Sequence, residues 1–291
     1  MSNMELIKKL RDTTGSGIVD CKKALFENND DIDASIKWLR EKGILKAQKK
    51  QDRETNEGVI SFYNHVSSLS SFSLCKIKCE TDFVAKNDDF LNFAHNLTKS
   101  IYENNEIEKF GTSENLSKIF IGDKDFNTSL TDLISKIGEN IQIVSYKKYN
   151  SDNSIFVSYL HNKYNTSCSK IASVVEISTN NISKTIDLID QLKVIAMQVS
   201  AMKPMSLDEK SLDKKILEDE KEIILKQIEN TPDDKKEMIV KGKLNKFIKE
   251  NTLLEQTLIT DPKNTVSNYL KEISKSSNLD LNIASMDLYT I

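Results

Sequence analysis

Apolar positions in the first 55 residues recur at helical spacing. Leu6, Ile7 and Leu10 share one face of a segment from Met4 to about Thr13, which Ser2 and Glu5 open as a capping box and Gly15 closes. Cys21, Ala24 and Leu25 form the inner face of a second segment, Ile18 to Glu27. Asp30 or Asp31 caps a third, which carries Ile32, Ile36 and Leu39 and ends at Gly43. The pattern predicts a three-helix module over 1–55. Its charged tail, KAQKKQDRETNE, extends the last helix or links it to the next domain.

From Glu57 the period changes to two. GVISFY and FSLCKIKC read as paired strands joined by a polar turn at about His65 to Ser71. After a turn at Glu80 to Asp82, helical spacing returns through Phe90, Phe93, Leu97 and Ile101. A further helix covers about Asn127 to Ile137, and IQIVSYKKY after Asn140 is strand-like. SIFVSYLH and SKIASVVEIS predict another hairpin, and the helix TIDLIDQLKVIAMQVSAM stops before Pro204. Strand pair, helix and strand thus occur twice. The fold class is α+β, with related subdomains at 56–149 and 150–205, the second completed by 251–291.

Residues 206–250 differ in character. Helices 208–230 and 232–249 flank Thr231-Pro232, with threonine as cap and proline at the first helical position. Leu217, Ile224 and Ile228 on one helix, and Val240, Leu244 and Phe247 on the other, form narrow stripes that predict a projecting antiparallel hairpin. Such stripes need cover, from a second copy in a homodimer or from the protein's own body. In the terminal module, 251–291, Asp261-Pro262 opens a helix over 262–275 with Val266, Tyr269, Leu270 and Ile273 inward. LNIASMDLYTI then closes the sheet as a last strand.

Composition narrows the function classes. With 41 Lys+Arg against 44 Asp+Glu the 291-residue chain has a net charge of −3, which argues against a nucleic-acid binder working by bulk charge. Eight glycines and three prolines suit a helix-rich chain and leave no phosphate-cradling glycine motif, so a nucleotide-hydrolysing or dinucleotide enzyme is disfavoured. No run approaches the ~18 apolar residues of a membrane span. The start, MSNMELIKKLRD, lacks the apolar core of a signal peptide, and four cysteines fit a reducing, cytoplasmic setting. Cys75, Ile77 and Cys79 share a strand face. Burial is the expected role of these cysteines rather than zinc ligation, since His65, His95 and His161 are scattered. No cofactor is called for, and a hydrolase has no nucleophile elbow to build on. Arg11, Arg40 and Arg53 are the only arginines, hence the better candidates for specific ionic recognition.

Five blocks then become specific: LRDTTGSGIVDCKKAL (10–25), CETDFVAKNDDF (79–90), KIGENI (136–141), IAMQVSAMKP (195–204) and LLEQTLITDPKNTVSNYLKE (253–272). In this order they resemble the bacterial-type translation elongation factor Ts family. The resemblance implies a ubiquitin-associated-like N-terminal domain, a two-subdomain α+β core, a helical hairpin and a short C-terminal module. It also implies guanine-nucleotide exchange on elongation factor Tu, without covalent chemistry, cofactor, membrane or nucleic acid.

Carried over by position, Thr81, Asp82, Phe83 and Val84 match the segment that enters the partner's GTPase domain and dislodges its magnesium. Read without the resemblance, Asp82 is a helix N-cap and Phe83 a core aromatic. Lys8, Arg11, Ile18, Val19 and Lys22 match contacts to the partner's nucleotide-binding domain, with Ile18 and Val19 standing where family members often carry two methionines. Lys50, Ile137, His161 and Ile259 match other partner-facing positions. HNKYNTSCSKIA is longer than the family's glycine-containing turn, so His161 also reads as a surface-loop histidine. A reading from a different class is a binding adaptor: the three-helix module engages a peptide or ubiquitin-like surface, and the hairpin holds a scaffold together.

Overall fold

Three helices open the chain: α1 (Asn3–Thr14), α2 (Ile18–Glu27) and α3 (Ile32–Gln48). They close on Leu10, Cys21, Ala24 and Leu25, with Leu6, Ile7, Ile32, Ile36 and Leu39 packed around. Gly15, at φ +67°, adopts the left-handed turn that ends α1. Asp31 rather than Asp30 caps α3, its side chain accepting from the Ala34 N–H. The computed structural model describes residues 3–64, 69–229 and 232–291, so the Ser2 cap, most of the 65–71 turn and Thr231 lie outside the described residues.

The strands β1 (Glu57–Tyr63) and β2 (Ser71–Cys79) pair antiparallel. A single-turn helix α4 (Asp82–Ala85) and the long α5 (Asp88–Glu103) follow, then three two-residue strands, β3 (Phe110–Gly111), β4 (Phe120–Ile121) and β5 (Lys124–Asp125). After α6 (Phe126–Ile137) come β6 (Ile141–Asn150), β7 (Ser154–Lys163) and β8 (Cys168–Thr179). The remaining elements are α7 (Ile182–Ile186), α8 (Ile189–Met202), α9 (Lys214–Gln227), α10 (Asp233–Asn251), α11 (Val266–Ser277) and β9 (Leu281–Thr290).

The large antiparallel sheet runs β3-β6-β2-β1-β8-β7, with β9 also paired to β8. β1 and β8 share only two ladder pairs, Ile60 opposite Ser169 and Ser61 opposite Cys168, and the sheet folds over at this seam. Strand alternation then builds four layers. Val59, Cys75, Ile77, Cys79 and Ile143 face α5 and α6, while Val157, Val175 and Ile177 face α8 and α11. Between the two sheet halves lie Ile60, Phe72, Leu74, Tyr149, Phe156 and Val174. Their rings interlock, with Phe72 stacked on Tyr149 at 4.3 Å and edge-on to Phe156 at 5.6 Å. Lys147 and Tyr149 on one half both reach the Asp287 carboxylate on the other, at 2.6 and 2.8 Å.

The stretch from β2 to α5 is repeated from β8 to α8 at an offset of about 100 residues. β2 carries a register shift at Lys76/Ile77 and β8 one at Glu176/Ile177. The buried Ser73 hydroxyl donates to the Thr98 carbonyl of α5, and the buried Ser173 hydroxyl to the Ala196 carbonyl of α8. Thr81 caps α4 as Asn181 caps α7.

Several expected boundaries move. Gly43 does not end α3, which continues to Gln48. A Cβ at Gly43 would sit 2.7 Å from Ser135 Oγ of α6, so the glycine permits close helix approach instead of stopping the helix. The helix expected over TIDLIDQLKVIAMQVSAM divides into α7 and α8, because the Leu188 N–H turns back to the Thr185 carbonyl. Helix 208–230 begins only at Lys214, where the Asp213 side chain caps it. Pro232 occupies the N-cap of α10 and not its first helical position. The helix expected from 262 starts at Val266 behind a Thr265 cap, the Asp261-Pro262 pair forming a turn closed by Asn264 N–H to Asp261 C=O. α9 and α10 pack on each other through Ile224, Ile228 and Val240, and the strand-like bridge of Ser206 with Thr252 fastens the base of this hairpin.

Candidate functional site

The end of β2 lies opposite the start of β6, Cys79 facing Ile141 across the ladder. The residues that leave β2 therefore meet those that enter β6. Glu80 to Ala85 form a projecting corner, and Gly138 to Asn140 form its base. Gly138 ends α6 in the left-handed conformation, φ +89°, which turns the chain toward that corner.

Two carboxylates lock the corner to its base. Glu139 accepts from the Thr81 N–H at 3.0 Å and from the Thr81 hydroxyl at 2.7 Å. In the reverse direction Glu80 accepts from the Asn140 N–H at 2.6 Å. The Asn140 amide donates to the carbonyls of Gln51 and Arg53, at 3.1 and 2.8 Å, and the Arg53 guanidinium lies 3.5 Å from Glu80. Three segments remote in sequence are thereby joined. Below them Cys79 donates its S–H to the Thr81 carbonyl. Burial, with the charges of Glu139 and Glu57 adding, pushes this thiol up to about 12.

On this base the four candidate residues divide their roles. Thr81 is the N-cap of α4, accepting from the Val84 N–H at 3.4 Å, so Asp82 is not the cap. Asp82 instead pairs with Lys86 at 2.7 Å. The hydrogen bond from Lys86, aided by the Lys170 charge, holds its carboxyl below the usual range, and Asp82 is an anion at neutral pH. Val84 and Ala85 are buried in the core beneath α5. Phe83 is not a core aromatic: it is 81% exposed. A large apolar ring standing in solvent on an immobilised turn is suited to entering a partner and adds little to the fold beneath it.

The other candidates fall into three groups. On the three-helix module Lys8, Arg11, Ile18, Val19 and Lys22 are all exposed, Val19 at 80%. Lys50 and Ile137 lie beside and on the end of α6 that precedes the base of the corner. The Lys50 ammonium lies 3.5 Å from the Ile134 carbonyl, and Ile137 is half-buried against the main core. His161 and Ile259 belong to the second half of the fold. His161 is exposed on strand β7, opposite Ile171, not in a loop, and its Nδ1 is 3.3 Å from the Tyr159 hydroxyl. Ile259 is 43% exposed, with its N–H bound to Gln198 of α8.

Sequence reasoning missed Glu80, Glu139 and Asn140, although all three lie inside or beside the quoted blocks. It also missed Phe26, which is 81% exposed and shares the outer face of α2 with Val19 and Lys22. Spacing of four and seven residues from that pair was the available signal.

A family model described as Elongation factor TS matches residues 80–291, beginning at the projecting corner. The chain belongs to the elongation factor Ts family. Relatives named Elongation factor Ts extend the match across the three-helix module. The protein from Alkalilimnicola ehrlichii is 37% identical over 268 residues, covering 91% of this chain and 86% of its own. That from Clostridium kluyveri is 35% identical over 98% of this chain and 91% of its own, and that from Clostridium botulinum 34% identical over 99% and 92%. Family membership makes this a translation elongation factor, a component of protein biosynthesis. Among the described residues no helix is long and apolar enough to cross a membrane.

Proposed function

We propose that this chain binds elongation factor Tu in its GDP-bound state and accelerates GDP release, with Thr81–Val84 as the intruding segment. The observation that carries this reading is Phe83, 81% exposed at the apex of a corner fixed from both sides. In the partner's site a magnesium ion is held by few protein oxygens, phosphates and ordered waters, so a small displacement of its surroundings weakens the nucleotide. Phe83 supplies the wedge and Asp82 an anion beside it. The exposed Lys8, Arg11, Ile18, Val19 and Lys22 hold the partner's nucleotide-binding domain while the corner enters.

No covalent step is required. A protein that binds the nucleotide-free partner more tightly than the GDP-loaded one must, by linkage, weaken GDP by the same factor. A thousandfold weakening is a coupling of about 4 kcal/mol, within reach of one buried aromatic and a few charge-assisted contacts. GTP rebinding then expels the exchange factor by the same reciprocity. Stopped-flow release of fluorescent GDP from the cognate elongation factor Tu tests the reading. Catalytic amounts of this protein should accelerate release, and an unchanged rate at stoichiometric concentration would refute it.

A further inference from the structure

We propose that Glu139 is the positioning residue of the exchange segment, acting on the partner only through the placement of Phe83. The inference rests on the exchange reading above and names a residue that reading leaves without a role.

Phe83 has almost no packing of its own, so its location in space is set by the backbone on either side. On the C-terminal side the anchor is apolar, the buried Val84 and Ala85. On the N-terminal side it is polar: both donors of Thr81 end on the Glu139 carboxylate, 3.0 and 2.7 Å away. A carboxylate satisfies both at once because each of its oxygens accepts, and charge-assisted bonds of this kind are the stronger ones. Glu139 is itself aimed by the left-handed Gly138 before it and by Asn140 after it, whose amide is bound to Gln51 and Arg53. Thr81 and Glu139 are half-buried. Water can therefore satisfy Thr81 when the carboxylate is removed, and the fold survives while the corner loosens. A wedge that must displace partner groups loses force when its own position is not held.

Glu139→Gln keeps the shape but leaves one accepting oxygen for two donors, and Glu139→Ala leaves none. The maximal rate of GDP release at saturating exchange factor should fall about tenfold in Glu139→Ala and less in Glu139→Gln. The half-saturating concentration should stay within about twofold, because the three-helix contacts are untouched. The decisive comparison is the cycle with Phe83→Ala. In that background Glu139→Ala should change the rate less than twofold, whereas multiplying losses would overturn the proposal, since Glu139 would then act independently of the ring. Hydrogen exchange of the 80–86 segment gives a readout separate from activity. It should speed at least tenfold in Glu139→Ala, and unchanged protection overturns the Thr81–Glu139 anchor whatever the rate of GDP release. A wild-type protein that fails to release GDP, with this protection change still seen in Glu139→Ala, sinks the exchange reading and leaves the Thr81–Glu139 anchor standing.

Discussion

On the proposed reading Phe83→Ala should separate folding from exchange, because the two demands on this side chain differ in size. The ring is 81% exposed, so folding removes only about a fifth of it from water. Complete burial of a phenylalanine is worth about 1.5–3 kcal/mol, which places the stability lost on truncation near 0.3–0.6 kcal/mol. Phe90, fully buried seven residues later, is the contrast, and its truncation should cost about 3–5 kcal/mol. Against the proposed partner the order should reverse. An exposed aromatic that becomes buried at the centre of an interface carries about 2 kcal/mol or more, a loss of about 30-fold in exchange rate constant on truncation. The assay pairs urea denaturation with fluorescent-GDP release on the same preparations. Phe83→Ala should keep its midpoint and lose exchange. Retention of more than a third of the wild-type rate, or a stability loss above about 2 kcal/mol, would refute the division of labour.

Two further outcomes follow from the core. Gly58 has φ +150°, and a Cβ there would lie 2.2 Å from the Ile77 carbonyl oxygen, so Gly58→Ala must part β1 from β2. It should cost about 2–3 kcal/mol, read as a lower urea midpoint at unchanged slope. Cys79 titrates near 12 in the fold against 9.0 for a free thiol, so its protonated form is favoured by folding. That contribution is complete below pH 9 and is lost as the pH rises from 9 to 12. Urea stability should fall between pH 8 and pH 10, and less steeply in Cys79→Ala.

Much of the fold was legible in the residues. Helix α2 runs over the expected Ile18 to Glu27, and the β7–β8 hairpin and the closing strand β9 stand where alternation placed them. These are cases in which one buried face per element imposes a local period. Boundaries failed where a neighbour decided them. Gly43 reads as a stop, yet it is an interior helical residue because Ser135 of α6 approaches it. Asp82 reads as a cap, yet Thr81 takes that role while Lys86 takes Asp82.

The candidate site divides in the same way. The TDFV segment was singled out by resemblance alone, and the exposure of Phe83 was not deducible from it, since an aromatic in a strand-to-helix corner is as readily buried. Glu139 stood in a quoted block, yet nothing in the sequence tied it to Thr81, from which 58 residues separate it. The sequence by itself determined the type of the longer helices and strands, and which family the chain resembles, because apolar period and short motifs are written in contiguous residues. Only the tertiary structure decided that the sheet folds over at the β1–β8 seam and that Glu139 meets Thr81. Both depend on ladder register, which sets Cys79 opposite Ile141 and so brings together carboxylate and donors that no local pattern connects.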